Sequence, residues 1–179
     1  MCRAARRALW EALWQAGQPL GVAPYGTEAM HVLRAEKGYI IVGQDTDGTV
    51  TPLDAGHGLG DRPRQARLRR QARRWRAPTS SAPGRKQLVG LLTEDPEVVL
   101  TEGAQIVADP DQPIPMRMIG HVTSAYWSAT LGRSIALALV EGGHDRMGET
   151  LFIPDGARAH RARVTGVTFY DPEGARLKL

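Results

Sequence analysis

"IGHVTSAYWSATLGRSIALALV", residues 119–140, is the stretch on which the fold turns. Its opening, IGHVTS (119–124), is rich in β-branched and aliphatic residues, the composition of a strand. Its close, SIALALV (134–140), is a short apolar run, and periodicity alone allows a buried strand or a short buried helix. Its surroundings share its texture. QLVGLL (87–92), ETLFI (149–153) and ARVTGVTF (162–169) are similar runs, and DPDQP (109–113) and PDG (154–156) supply turn chemistry between them. Several short strands spaced by turns predict a small antiparallel barrel or sandwich from Lys86 onward.

Upstream the pattern is helical. Leu9 and Leu13, with Trp10 and Trp14, recur at i and i+4 and predict a helix over 4–16, closed by Gly17. Thr27 is an N-cap for a second helix, Glu28 suits its positive start, and Gly38 stops it after Glu36. YIIVG (39–43) reads as a short buried strand, followed by the polar turn DTDGT (45–49). The fold class is therefore α+β, helices first and strands after.

Between these halves lies RPRQARLRRQARRWR (62–76), with eight arginines and no acid. Residues 61–76 carry +7, so against a formal charge of +4 the rest of the chain carries −3. The basic character is local. One reading is an arm that neutralises nucleic-acid phosphates. Its like charges and scarce apolar residues otherwise predict an exposed, poorly ordered segment without specific nucleic-acid recognition. Cys2 is the only cysteine, which excludes an intrachain disulfide and a thiolate metal cluster. No apolar run approaches the roughly 20 residues of a membrane helix, and the N-terminus lacks a secretory apolar core. No membrane association and a cytoplasmic location are the expectation.

The candidate chemistry is thin. His31, His57, His121, His144 and His160 form no metal-ligand spacing, so no metal site is predicted. There is no nucleophile elbow and no phosphate loop, and no catalytic residue is assigned. Asp45, Asp47 and Asp54 sit in or beside turns, where a carboxylate commonly bonds a nearby backbone N–H. Glu36, between a helix and an apolar run, is the acid of most interest.

Longer strings carry a resemblance. ALWEALWQAG (8–17), GTEAMHVLRAEKGYIIVGQDTDGTVTPLDAG (26–56), residues 119–140 and FYDPEGARL (169–177) resemble the glycine-cleavage T-protein, or aminomethyltransferase, folate-binding family. With RKQLVGLLTED and RMGETL, the chain looks most like the C-terminal part of the α subunit of heterotetrameric sarcosine oxidase. The resemblance implies the end of an aminomethyltransferase-type folate-binding domain (1–56) and an Arg-rich linker (57–85). A small antiparallel β-barrel-like domain (86–179) completes the chain. It also implies oxidative demethylation of sarcosine to glycine, with the one-carbon unit passed to tetrahydrofolate. FAD, FMN and NAD belong to parts of the complex outside this chain, and the partners are the other oxidase subunits. A stand-alone folate-binding module is the alternative. The family's Leu-Arg-x-Glu carboxylate, which pairs with the pterin's amino edge, falls on Glu36. T-protein residues expected near Val98, Val99 and His144 differ here, which favours the oxidase branch. The family's upstream half, with its catalytic aspartate, is not in this sequence, so the chain alone is expected to be inactive.

The resemblance lapses over residues 57–84, where the family continues "GWAI…K…DFVGKR". One permitted set of codons for His57 to Ala72, read one base later, gives MGWAIGQGKPDFVGKR. The arginine run is therefore expected to be an out-of-frame translation, restored near Gly84. GC-rich codons read out of frame yield Arg, Ala, Pro and Gly.

Overall fold

The computed structural model describes residues 3–56, 84–156 and 158–178. Residues 57–83 lie outside it, and with them the readings of the arginine run. The chain divides into two compact units, residues 1–30 and 31–179.

In the first unit, α1 (Arg3–Gly17) is an alanine-rich helix, favoured by intrinsic propensity. An Arg7–Glu11 pair at 2.7 Å and a Trp10–Trp14 stack, 6.4 Å between centroids, line successive turns. The predicted face forms, yet Leu9, Trp10 and Leu13 are each more than half exposed. A 3-10 turn, Gln18–Leu20, ends at Gly21, whose left-handed φ of 72° lets its N–H reach the Gln18 carbonyl. Helix α2 (Thr27–Glu36) ends at Glu36 as expected, but Thr27 is its first helical residue rather than its N-cap, and the Met30 N–H donates to the Gly26 carbonyl.

The second unit is built on six strands: β1 (Lys86–Thr93), β2 (Gln105–Ile106), β3 (Gly120–Ser128), β4 (Arg133–Glu141), β5 (Thr150–Asp155) and β6 (Arg158–Thr165). SIALALV is a strand, and all seven of its residues are buried. Alternate residues serve two clusters. Val89, Leu91, Ala136, Ala138 and Val140 join Ile106, Val122, Leu151, Ile153 and Val164 on one face. Leu88, Leu137 and Leu139 pack on the other against Ile40, Val50, Val167 and Phe169. A strand covered on both faces reads as a continuous apolar run, which is why its periodicity was ambiguous.

Two expectations are corrected. The antiparallel β-barrel-like domain is not formed, nor is a sandwich. The strands make one antiparallel sheet in the order β2-β3-β4-β1-β6-β5, with β2 and β5 at its edges. β2 has only two residues, and the adjoining Val107 meets Phe152 of β5 through an isolated bridge rather than a ladder. Closure needs staggered strands paired along their length, and β2 is too short to supply them. YIIVG is not a strand either. Its backbone folds into turns, with the Gln44 and Asp45 N–H groups donating to the Ile41 carbonyl, and Val42 is 84% exposed. Among the described residues, no helix is long and apolar enough to cross a membrane.

Candidate functional site

The last turn of α2 places Arg34, Ala35 and Glu36 in the interior of the second unit. Gly38 ends the helix with φ 73°, and a Cβ there would lie 2.6 Å from the Val167 carbonyl oxygen. Only glycine suits that conformation and that approach. The chain then doubles back, so that Asp45 meets Arg34.

Asp45 is fully buried. Arg34 Nη1 donates to its Oδ2, as does the Ile41 N–H at 2.9 Å. The hydroxyls of Thr123 and Ser124 both donate to its Oδ1, each at 2.6 Å. Neighbouring strand residues ordinarily point to opposite faces, but β3 shifts register between Val122 and Ser124. That bulge re-aims one side chain, and two consecutive hydroxyls reach one oxygen. Arg34 Nη2 also donates to Ser124 Oγ (2.7 Å) and Tyr126 Oη (3.2 Å). Helix end, turn and strand are thereby tied by a charge-assisted network.

Glu36 stands two residues from Arg34 and is 2% exposed. Ser128, at the end of β3, donates to its Oε1 at 2.7 Å and accepts the Leu131 N–H at 3.0 Å. The Glu36 carbonyl accepts the N–H groups of Phe169 and Tyr170, both at 2.9 Å. Beside it, the Lys37 ammonium donates to the Asp171 carboxylate at 3.1 Å and to its carbonyl at 2.6 Å. The Lys37 hydrogen bond holds the Asp171 carboxyl below its usual range, with burial opposing. No donor among the described residues reaches Glu36 Oε2. A buried carboxylate with backbone and one oxygen fixed, and the other oxygen unclaimed, is prepared to accept from a planar N–H edge.

The turn acids divide. Asp47 does bond the Thr49 N–H, at 2.7 Å, and the Thr49 hydroxyl and N–H lower its pKa. Asp54 bonds the Thr51 N–H at 2.8 Å, as turn chemistry predicts, but also pairs with Arg85 through Nε at 3.0 Å and through Nη2. Asp54 and Arg85, which stand in sequence on either side of residues 57–83, thus meet directly. Sequence reasoning missed Ser128, whose importance comes from a partner 92 positions away. It also missed the buried role of Asp45. His31 rests its ring near that of Tyr126, 6.3 Å between centroids. Among the described residues, no three His, Cys, Asp or Glu side chains cluster as metal ligands.

Comparison with known proteins follows this geometry. A family model described as the glycine cleavage T-protein C-terminal barrel domain matches residues 86–171, and one described as the GCVT N-terminal domain matches residues 2–59. The chain is 44% identical over 183 aligned residues to the sarcosine oxidase subunit alpha of Corynebacterium sp. (strain P-1), covering 94% of this chain and 17% of that protein. It is 33% identical to the aminomethyltransferase of Moorella thermoacetica, covering 93% of this chain and 43% of that one. The crystal structure of glycine cleavage system aminomethyltransferase T from Bartonella henselae shares the fold at a TM-score of 0.73 and 23% identity. The likeness covers 94% of this chain and 45% of that one. The chain thus spans 17% of the length of the oxidase subunit and under half of the two aminomethyltransferases.

Proposed function

We propose a folate-facing role for this chain, which belongs to the glycine cleavage T-protein family. Glu36 is the carboxylate that accepts the amino and ring N–H groups of a tetrahydrofolate pterin, within an assembly of the sarcosine oxidase type. The observation that carries this reading is the buried Glu36 with Oε2 unclaimed and Oε1 held by Ser128. A carboxylate has about four lone-pair sites, so Oε1 can keep the Ser128 bond and still accept from a ligand. The residues present therefore fit one edge of the group. Tetrahydrofolate, when bound, supplies the amine nitrogens that capture a one-carbon unit. This chain's part is to hold and orient the pterin edge, with Ser128 fixing the carboxylate's rotation and the Phe169 and Tyr170 amides fixing its backbone.

The oxidase context is supported by the higher identity to an oxidase α subunit than to an aminomethyltransferase. Flavin and nicotinamide steps are assigned to parts of such an assembly outside this chain. The division into a folate-domain end (1–56), a linker (57–85) and a C-terminal domain (86–179) follows the same reading. One edge of a pocket binds weakly, so the chain alone should show a tetrahydrofolate Kd on the order of 1 mM or weaker and no sarcosine-dependent oxygen uptake. Titrating tetrahydrofolate into ¹⁵N-labelled chain should move the amides of Glu36, Lys37, Ser128 and Leu131. Saturable shifts confined to other regions would overturn the assignment.

A further inference from the structure

We infer that the cavity at Arg133 is a binding site for a small carboxylate with an apolar body, independent of the role proposed for Glu36. Arg133 opens β4 directly opposite Ser128 in the β3–β4 pairing and is partly buried. Its Nη2 donates to the Thr93 carbonyl at 2.6 Å. That is its one hydrogen bond to the described residues, and no carboxylate among them pairs with it. Its Nε–H is buried and has no acceptor. The contrast with the unit's other shielded arginines is plain: Arg34 meets Asp45, Arg85 meets Asp54, and Arg146 meets Glu149.

Arg133 lines a pocket of about 240 Å³ together with Leu92, Leu131, Thr165, Thr168 and Phe169. Drug-sized sites occupy roughly 300–1,000 Å³, so this one suits a smaller molecule. The planar fork of an arginine matches a carboxylate, and a turn of the side chain toward a ligand in the pocket would give the Nε–H its missing acceptor. Leu92, Leu131 and the Phe169 ring favour an apolar remainder over a bare anion. The Thr168 hydroxyl makes only a long bond, 3.4 Å to the Lys37 carbonyl, and can turn to a second ligand oxygen.

The test is a titration of the whole ¹⁵N-labelled chain with benzoate, acetate and inorganic phosphate in turn, observing the Arg133 Nε–H resonance directly. Benzoate should shift that resonance saturably together with the amides of Leu131, Thr168 and Phe169, and acetate and phosphate should bind about tenfold more weakly. Arg133→Gln should abolish the response. Arg133→Lys, which keeps the charge and can still reach the Thr93 carbonyl, should retain the native amide spectrum and weaken benzoate about tenfold. A stationary Nε–H, or equal responses to all three anions, would refute the site. So would full benzoate affinity in the lysine variant. Loss of tetrahydrofolate binding in Glu36→Gln with benzoate binding intact would leave this proposal standing, whereas Glu36-dependent tetrahydrofolate binding together with a benzoate response that survives in Arg133→Gln would remove this proposal alone.

Discussion

Removing one partner of the Arg34–Asp45 pair leaves the other charge buried without compensation. Asp45→Ala should therefore lower unfolding stability by about 3–5 kcal/mol in urea melts. The double variant Arg34→Met, Asp45→Leu should lose less, since no charge is stranded. Losses that simply add would contradict the coupling. Asp54 makes a second residue-scale prediction. Burial alone would raise its pKa, but the hydrogen bonds from Arg85 and Thr51 outweigh it and hold the carboxyl at about 2, down from 3.8. The unfolded chain then binds the proton more readily, so this contribution is complete above about pH 4 and is lost as pH falls through about 2. It is worth roughly 2 kcal/mol, and Asp54→Asn should flatten the acid limb of a stability–pH profile by that amount. These roles were only partly legible. Turn chemistry forecast the local bonds of Asp47 and Asp54, but the side-chain partners of Asp45 lie 11 to 79 positions away. Glu36 was visible through its family motif rather than through its own spacing.

At the scale of elements, legibility followed how local the cause was. Helix α2 carries its own stop at Gly38 and ends where expected, while its start lies one residue earlier than a Thr27 cap would set it. YIIVG has a strand's composition, but Arg34 and Asp45 capture the Tyr39 carbonyl and the Ile41 N–H and bend it into turns. SIALALV is settled by pairing with β1 and β3 on either side. Leu137, buried within it, packs in the smaller cluster, so Leu137→Ala should cost about 2–5 kcal/mol by thermal or urea unfolding. The described residues on either side of positions 57–83 are joined by the Asp54–Arg85 pair and by the Leu88 N–H donating to the Asp54 carbonyl at 2.7 Å. Loop-closure cost varies slowly with length, so a short Gly/Ser linker in place of residues 58–82 should leave Tm within about 4 °C. Collapse of the melt would show that the run supports the fold.

Within the second unit, an open antiparallel sheet whose edges touch at one isolated bridge takes the place of the expected barrel. Five of the six strands form on the apolar runs that predict them, but β2 was not foreseen, and closure depends on its length, which no local signal sets. The best-ordered unit should be the sheet with its covering turns, and limited proteolysis should release residues 3–30 before any cut within 86–165. The account's central claim is that Glu36 presents a carboxylate to a pterin edge. It is tested most directly by tetrahydrofolate affinity in the wild-type chain and in Glu36→Gln, with the native amide spectrum confirmed in both. Gln replaces an acceptor oxygen by a donor and removes the charge, so binding should weaken at least about tenfold, with the shifts at Ser128 and Leu131 lost. Equal affinity in the two proteins, or micromolar binding that survives the substitution, would contradict it.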